Sequence, residues 1–126
     1  MRIWVDDVRP APEGYDWCQT VRGAKQLILY SENGISHYNR FLEETDELPS
    51  WQLDGILGAM KDLTIELIDI DHDAGDYAFD GGDYIKLLDW LEETGRNYPI
   101  HIHSMNPVGV ENMRRILERN GWTEVR

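Results

Sequence analysis

Along its length the chain alternates short apolar runs with longer stretches of helical spacing. Residues 2 to 6 alternate loosely and then stop at the two aspartates Asp6-Asp7 and a proline-bearing turn, Val8 to Gly14, which predicts a strand ending in a loop. A second short strand is expected over 16–21, followed by Ala24, Leu27 and Ile28 at helical spacing, with Asn33-Gly34 as the stop. Thr64 to Asp71 is rich in isoleucine and leucine, interrupted only by Glu66 and Asp69, and predicts a central parallel strand covered on both faces. Tyr84, Leu87, Leu88 and Leu91 then share one helix face that ends near Gly95, and Pro99 to Ser104 predicts a further strand. The last helix has Asn106 as N-cap, Pro107 at its first position, Met113, Ile116 and Leu117 facing inward and Gly121 as its stop. Trp122 to Arg126 would add a final strand.

Strands alternating with helices imply an α/β fold: a flavodoxin-like, doubly wound sheet of about five mainly parallel strands in the order 2-1-3-4-5, wrapped by right-handed crossovers. The connection between the first two strands is short and contains Pro10 and Pro12, so the first crossover helix is expected to be missing. Residues 33–61 break the rhythm. Ser36 can cap a helix carrying Tyr38, Phe41 and Leu42, and after Pro49 a second cap at Ser50 precedes Trp51, Ile56, Leu57 and Met60. The whole chain, 1–126, is expected to form one domain with 33–61 as an inserted helical hairpin. The hairpin's Glu43, Glu44, Asp46 and Glu47 make either a solvated face or a docking surface for a basic protein partner. His37, in the same segment, is expected at the surface.

Charge narrows the functions this fold can carry. The net charge is −12 at pH 7, with a pI near 4.5, so the long-range field repels phosphodiester polymers and excludes non-specific nucleic-acid binding. A small phosphorylated ligand meets the same field, and a site for one would need a cation or local backbone dipoles. Cys18 is the single cysteine, which rules out an internal disulfide and points to a reducing compartment, the cytoplasm. No apolar stretch approaches the length of a membrane span.

The chemistry-bearing residues gather where strands stop. In doubly wound sheets the ligand crevice lies at the carboxyl ends of the strands, and the strands expected to be neighbours end in Asp6-Asp7, Asp71-His72-Asp73 and His103-Ser104. Asp6, Asp7, Asp71 and Asp73 offer oxygen ligands for a hard divalent cation, Mg²⁺ first, and a histidine ligand would shift the preference toward Mn²⁺ or Zn²⁺. Taken singly, each aspartate could instead cap a turn. Ser104 and Asn106 stand before a helix whose free N–H groups can receive an anion, Gly109 would allow close approach, and Gly81-Gly82 could do so from the opposite side. Asn106-Pro107 is equally a good helix start. Arg9, beside the acidic pair, could contact phosphate or form a salt bridge. His101 and His103 share one strand face; His101 lies deeper as a packed imidazole, with Asp69 expected to orient it, and His103 is free to ligate or to move a proton.

The runs Ile3 to Gly14, Asp71-His72-Asp73-Ala74-Gly75 and Ile100 to Gly109 together resemble the cyclic-phosphate processing receiver domains. The resemblance covers roughly 1–32 and 62–126. It implies a receiver fold acting on cyclic phosphates, with Asp6 and Asp7 matching the metal-binding acidic pair, Asp71 the phosphoacceptor position and Ser104 the hydroxyl position. Two departures from ordinary receivers stand out: there is no lysine at a fifth strand end, and His72, Asp73 and His103 are additions. The expected activity is therefore metal-assisted hydrolysis of a cyclic phosphate, with Asp71, His72 and His103 as its catalytic residues. The alternatives are a signalling receiver phosphorylated on Asp71 and a non-catalytic nucleotide-binding protein.

Overall fold

A computed structural model describes residues 1–33 and 64–126, so the expected hairpin and its acidic face lie, from residue 34 onward, outside the described residues. Four strands and three α-helices follow in the order β1 (Arg2–Val5), β2 (Tyr15–Cys18), α1 (Val21–Asn33), β3 (Leu67–Ile70), α2 (Ile85–Glu93), β4 (Ile100–Ile102) and α3 (Pro107–Asn120). The sheet is parallel in the order β2-β1-β3-β4, a receiver-like α/β arrangement. No α-helix joins β1 to β2; residues 6–14 cross that gap as a loop, as the two prolines predict.

The expected fifth strand is reduced to a single bridge between Ile100 and Glu124. The cause is local. Gly121 ends α3 at φ 67°, and the next backbone N–H, that of Trp122, turns back to the Leu117 carbonyl at 2.9 Å. Pairing with β4 cannot start until Thr123, and the Glu124 side chain is then held by Arg114 and Arg126.

Alternation along the strands sorts their side chains into two faces. Ile3, Val5, Ile68, Ile70 and Ile100 are fully buried in one cluster with Val21, Ala24, Leu27 and Ile28 of α1, Leu87, Leu88 and Leu91 of α2, and Met113, Ile116 and Leu117 of α3. Burial of each such aliphatic side chain stabilises by about 1.5–3 kcal/mol, so this layer is the core. All three helices lie on that face. The three crossovers run in one direction across the sheet, whereas the β1-to-β2 step runs the other way, and a right-handed crossover there would have put its helix on the opposite face. Because that step is a loop, Trp4, Trp17, Asp69 and His101 occupy the second face without a covering helix among the described residues. The central strand is thus apolar on one side only, and its Asp69 finds a polar partner on the other.

No helix among the described residues is long and apolar enough to cross a membrane.

Candidate functional site

The sheet register brings the strand ends together. Val5, Ile70 and Ile102 form the last full rung, and the backbone ladder continues one residue further through Asp71 N–H to Val5 O at 2.9 Å and His103 N–H to Ile70 O at 3.0 Å. Asp6, Asp71 and His103 are consequently side by side, and one ligand atom from each lies within 4.8 Å of the other two. Alternation turns this rung away from the helices, toward the face that carries Trp4 and Asp69.

Asp6 is fully buried and its carboxylate is heavily used. Oδ1 accepts the backbone N–H groups of Val8 at 3.0 Å and Arg9 at 2.9 Å, an arrangement that folds the loop back over the end of β1. Oδ2 meets His103 Nε2 at 2.8 Å. Burial pushes the Asp6 carboxyl up, but the N–H groups of Arg9 and Val8 and the His103 imidazole outweigh it and hold the group below the ordinary carboxylate range.

His103 is held on three sides. Besides Asp6, its Nδ1 lies 2.6 Å from Asp69 Oδ1, and its ring stacks on Trp4 with centroids 4.0 Å apart and planes within 4°. Burial lowers the imidazole's proton affinity; Asp69 and Asp6 together more than reverse this, so His103 titrates above its ordinary value. Sequence reasoning paired Asp69 with His101. His101 is its neighbour in register, yet the His101 ring turns to the Val125 carbonyl at 2.7 Å and Asp69 takes His103. Periodicity puts Asp69 and Asp71, and likewise His101 and His103, on one face, so it could not choose between the two imidazoles.

Asp7 alternates to the other side and packs so closely on Gly75 that a Cβ there would overlap its carboxylate. Burial first, then the charges of Asp6 and Asp71, push the Asp7 carboxyl up. The buried Tyr84 hydroxyl, raised by burial and by the same three aspartates, donates to Gln19 O at 2.8 Å. Such mutual repulsion among carboxylates is what a divalent cation relieves, and the donor set Asp6, Asp71 and His103, with Asp7 alongside, suits one. The group could hold a metal.

Asp73 stands apart from that rung. It is largely exposed and pairs with His72 Nδ1 at 2.8 Å, while Asn106 Nδ2 approaches it at 3.4 Å. The His72 ring lies against α3, where a Cβ on Gly109 would fall 2.6 Å from Cδ2 and 2.8 Å from Nδ1. Gly109 therefore makes room for His72 rather than for a ligand. The N-terminus of α3 is largely spent as well: Asn106 Oδ1 accepts Gly109 N–H at 3.1 Å and Asn106 O accepts Val110 N–H at 2.9 Å, and Pro107 has no N–H. Ser104 Oγ accepts Asn106 N–H at 3.1 Å. Gly81 and Gly82 adopt φ of 107° and 88°, and a Cβ on Gly81 would collide with Val21; they shape the approach to α2. Arg9 lies at the mouth, its Nη1 donating to His103 O at 3.4 Å, and it forms no ion pair among the described residues.

The sequence model of the family described as "Cyclic-phosphate processing Receiver domain" matches residues 1–119, a span that takes in 33–61. No curated protein and no solved structure matches the chain.

Proposed function

The chain belongs to the cyclic-phosphate processing receiver domain family, and on that footing we propose that it hydrolyses a cyclic phosphate with the help of a divalent metal, Mg²⁺ in the first instance. The observation that carries this reading is the presence of two carboxylate-held histidines flanking Asp71, His72 with Asp73 and His103 with Asp6 and Asp69. Phosphotransfer to an aspartate has no use for them. Opening a cyclic phosphate needs both a cation for the phosphate and a proton for the leaving ribose oxygen.

Asp6, Asp71 and His103 would hold the metal, with Asp7 beside them, and it would supply positive charge for phosphate binding and a more acidic bound water. His72 is suited to general acid catalysis. Asp73 orients it through Nδ1, its side chain is 15% exposed, and its Nε2 has no partner among the described residues. Water adds to phosphorus and loses one proton to Asp71, the bond from phosphorus to the ribose oxygen breaks, and His72 Nε2 gives that oxygen its proton; return of the proton from Asp71 to His72 through solvent restores both groups. Asp71, whose Oδ1 accepts His72 N–H at 2.7 Å, accepts hydrogen bonds from the attacking water. Arg9 and the Ser104 hydroxyl would bind phosphate oxygens at the rim. The buried Cys18 thiol, pushed by burial up to about 12, takes no part and suits a reducing, cytoplasmic setting.

The test is phosphorus NMR of purified protein with nucleoside 2′,3′-cyclic phosphates and Mg²⁺, Mn²⁺ or Zn²⁺. Conversion to a monoester, abolished by Asp71→Asn and His72→Ala, is the expected result. No opening under any metal sinks the reading. Stable acyl phosphate on Asp71 after acetyl phosphate treatment would favour the signalling receiver. Against that alternative, the two lysines among the described residues are engaged elsewhere, Lys25 over Trp90 and Lys86 near Asp89.

A further inference from the structure

His103 could present either ring nitrogen to the rung of strand ends, and what decides between them lies one layer below. Asp69 projects from the middle of β3, is 6% exposed, and its carboxylate has a single hydrogen-bond partner among the described residues, His103 Nδ1 at 2.6 Å. Asp6, on the other nitrogen, is a weaker competitor for a ring proton, because it already accepts two backbone N–H groups. Trp4 supplies the third constraint. Its indole N–H is fixed on Arg9 O at 2.9 Å, so the ring that stacks on His103 is itself anchored.

We propose that Asp69 is a positioning residue: by holding the proton on His103 Nδ1 over the Trp4 indole, it commits His103 Nε2 to the rung shared with Asp6 and Asp71. Carboxylates that hold the far nitrogen of a working imidazole fix both its tautomer and its ring orientation. Among the described residues, nothing else on the second face could do so. His101, the nearest other titratable group on β4, is bound to the Val125 carbonyl. For the reaction served, the inference rests on the hydrolytic reading above; for the geometry, it does not.

The experiment is nitrogen-15 NMR of the imidazoles in the metal-free full chain, with the His103 signals assigned by comparison with His103→Gln. At a pH where His103 is neutral, the wild type should carry its proton on Nδ1. Asp69→Asn, which keeps the volume and removes the carboxylate, should shift the population toward the Nε2–H tautomer. A wild-type ring protonated on Nε2, or a tautomer unchanged in Asp69→Asn, overturns the proposal, and the wild-type spectrum judges it even if the variant fails to fold. With a 2′,3′-cyclic nucleotide, Asp69→Asn should lower kcat by about 10–100-fold with KM little changed. A wild type that opens no cyclic phosphate would remove the hydrolytic reading and leave the tautomer measurement to judge Asp69.

Discussion

The His103 imidazole lies flat on the Trp4 indole, 4.0 Å between centroids, with a carboxylate at each ring nitrogen. A positively charged ring between two anions and above a π face is stabilised from every direction, and a stack of this kind contributes about 0.5–1.5 kcal/mol beyond the area it buries. Trp4→Phe should preserve most of that and Trp4→Leu should lose it. Urea denaturation is expected to rank the two variants in that order, about 1 kcal/mol apart; equal stabilities would mean the stacking contributes nothing.

The same triplet predicts how stability follows pH. His103 titrates in the fold above its ordinary 6.5, so its contribution is fully present below pH 6.5 and is lost as pH rises through the folded value. Asp6 is displaced the other way, below 3.8: its contribution is present above pH 3.8 and lost as pH falls through the folded value. Denaturation midpoints measured with a chelator present should decline on the alkaline side, and His103→Gln should flatten that decline. A wild-type midpoint that climbs from pH 6.5 to 8 would contradict this.

Metal binding should carry its own pH signature. Protonated His103 occupies Asp6 Oδ2, so a cation at Asp6, Asp71 and His103 must displace that proton, and apparent affinity should rise with pH. Thermal shift with Mn²⁺ is expected to grow from pH 6 to 8, and saturation at a hundred times the dissociation constant adds about 2.7 kcal/mol of stability. Asp71→Asn should abolish the shift. Asp73→Asn should retain it, because Asp73 pairs with His72 away from the rung; loss of the shift in Asp73→Asn would return Asp73 to the ligand set.

Gly109 offers a test of the fit between α3 and His72. In an open helix, Gly→Ala stabilises by about 1 kcal/mol. Here the new methyl would meet the His72 ring, and overpacking costs about 1–3 kcal/mol. Gly109→Ala should therefore be destabilising by calorimetry, and adding His72→Ala should recover the loss. A stable single variant with normal turnover would show that the ring has somewhere else to go.

Much of this was legible beforehand because periodicity constrains backbone. Asp6, Asp71 and His103 were foreseen as neighbours since strand ends in a parallel sheet share an edge, and Asn106, Pro107 and Gly121 bounded α3 because each has a distinct backbone preference. What escaped was decided by rotamers. Register put Asp69 opposite His101, and only the lean of the two side chains along their strands gave Asp69 to His103. Gly109 looked like an opening for a ligand because sequence carries no information on which neighbouring ring fills the space. The fifth strand failed on one hydrogen bond, that of Trp122 N–H back to Leu117.

The loop that replaces the first crossover helix also bears on the order of assembly. Residues 6–14 are all that separate β1 from β2, whereas β1 and β3 are separated by residues 6–66. Closure entropy grows as the logarithm of loop length, so the β1–β2 pair is the cheapest long-range contact to nucleate, and it requires no helix in advance. The rung of Asp6, Asp71 and His103 draws on β1, β3 and β4, and completing it must wait for the longer closures. Hydrogen exchange during refolding should protect Asp6 N–H, bonded to Cys18 O on β2, before Asp71 N–H and His103 N–H. The acidic centre would then be the last part of the sheet edge to gather its charges, after the surrounding framework can hold them.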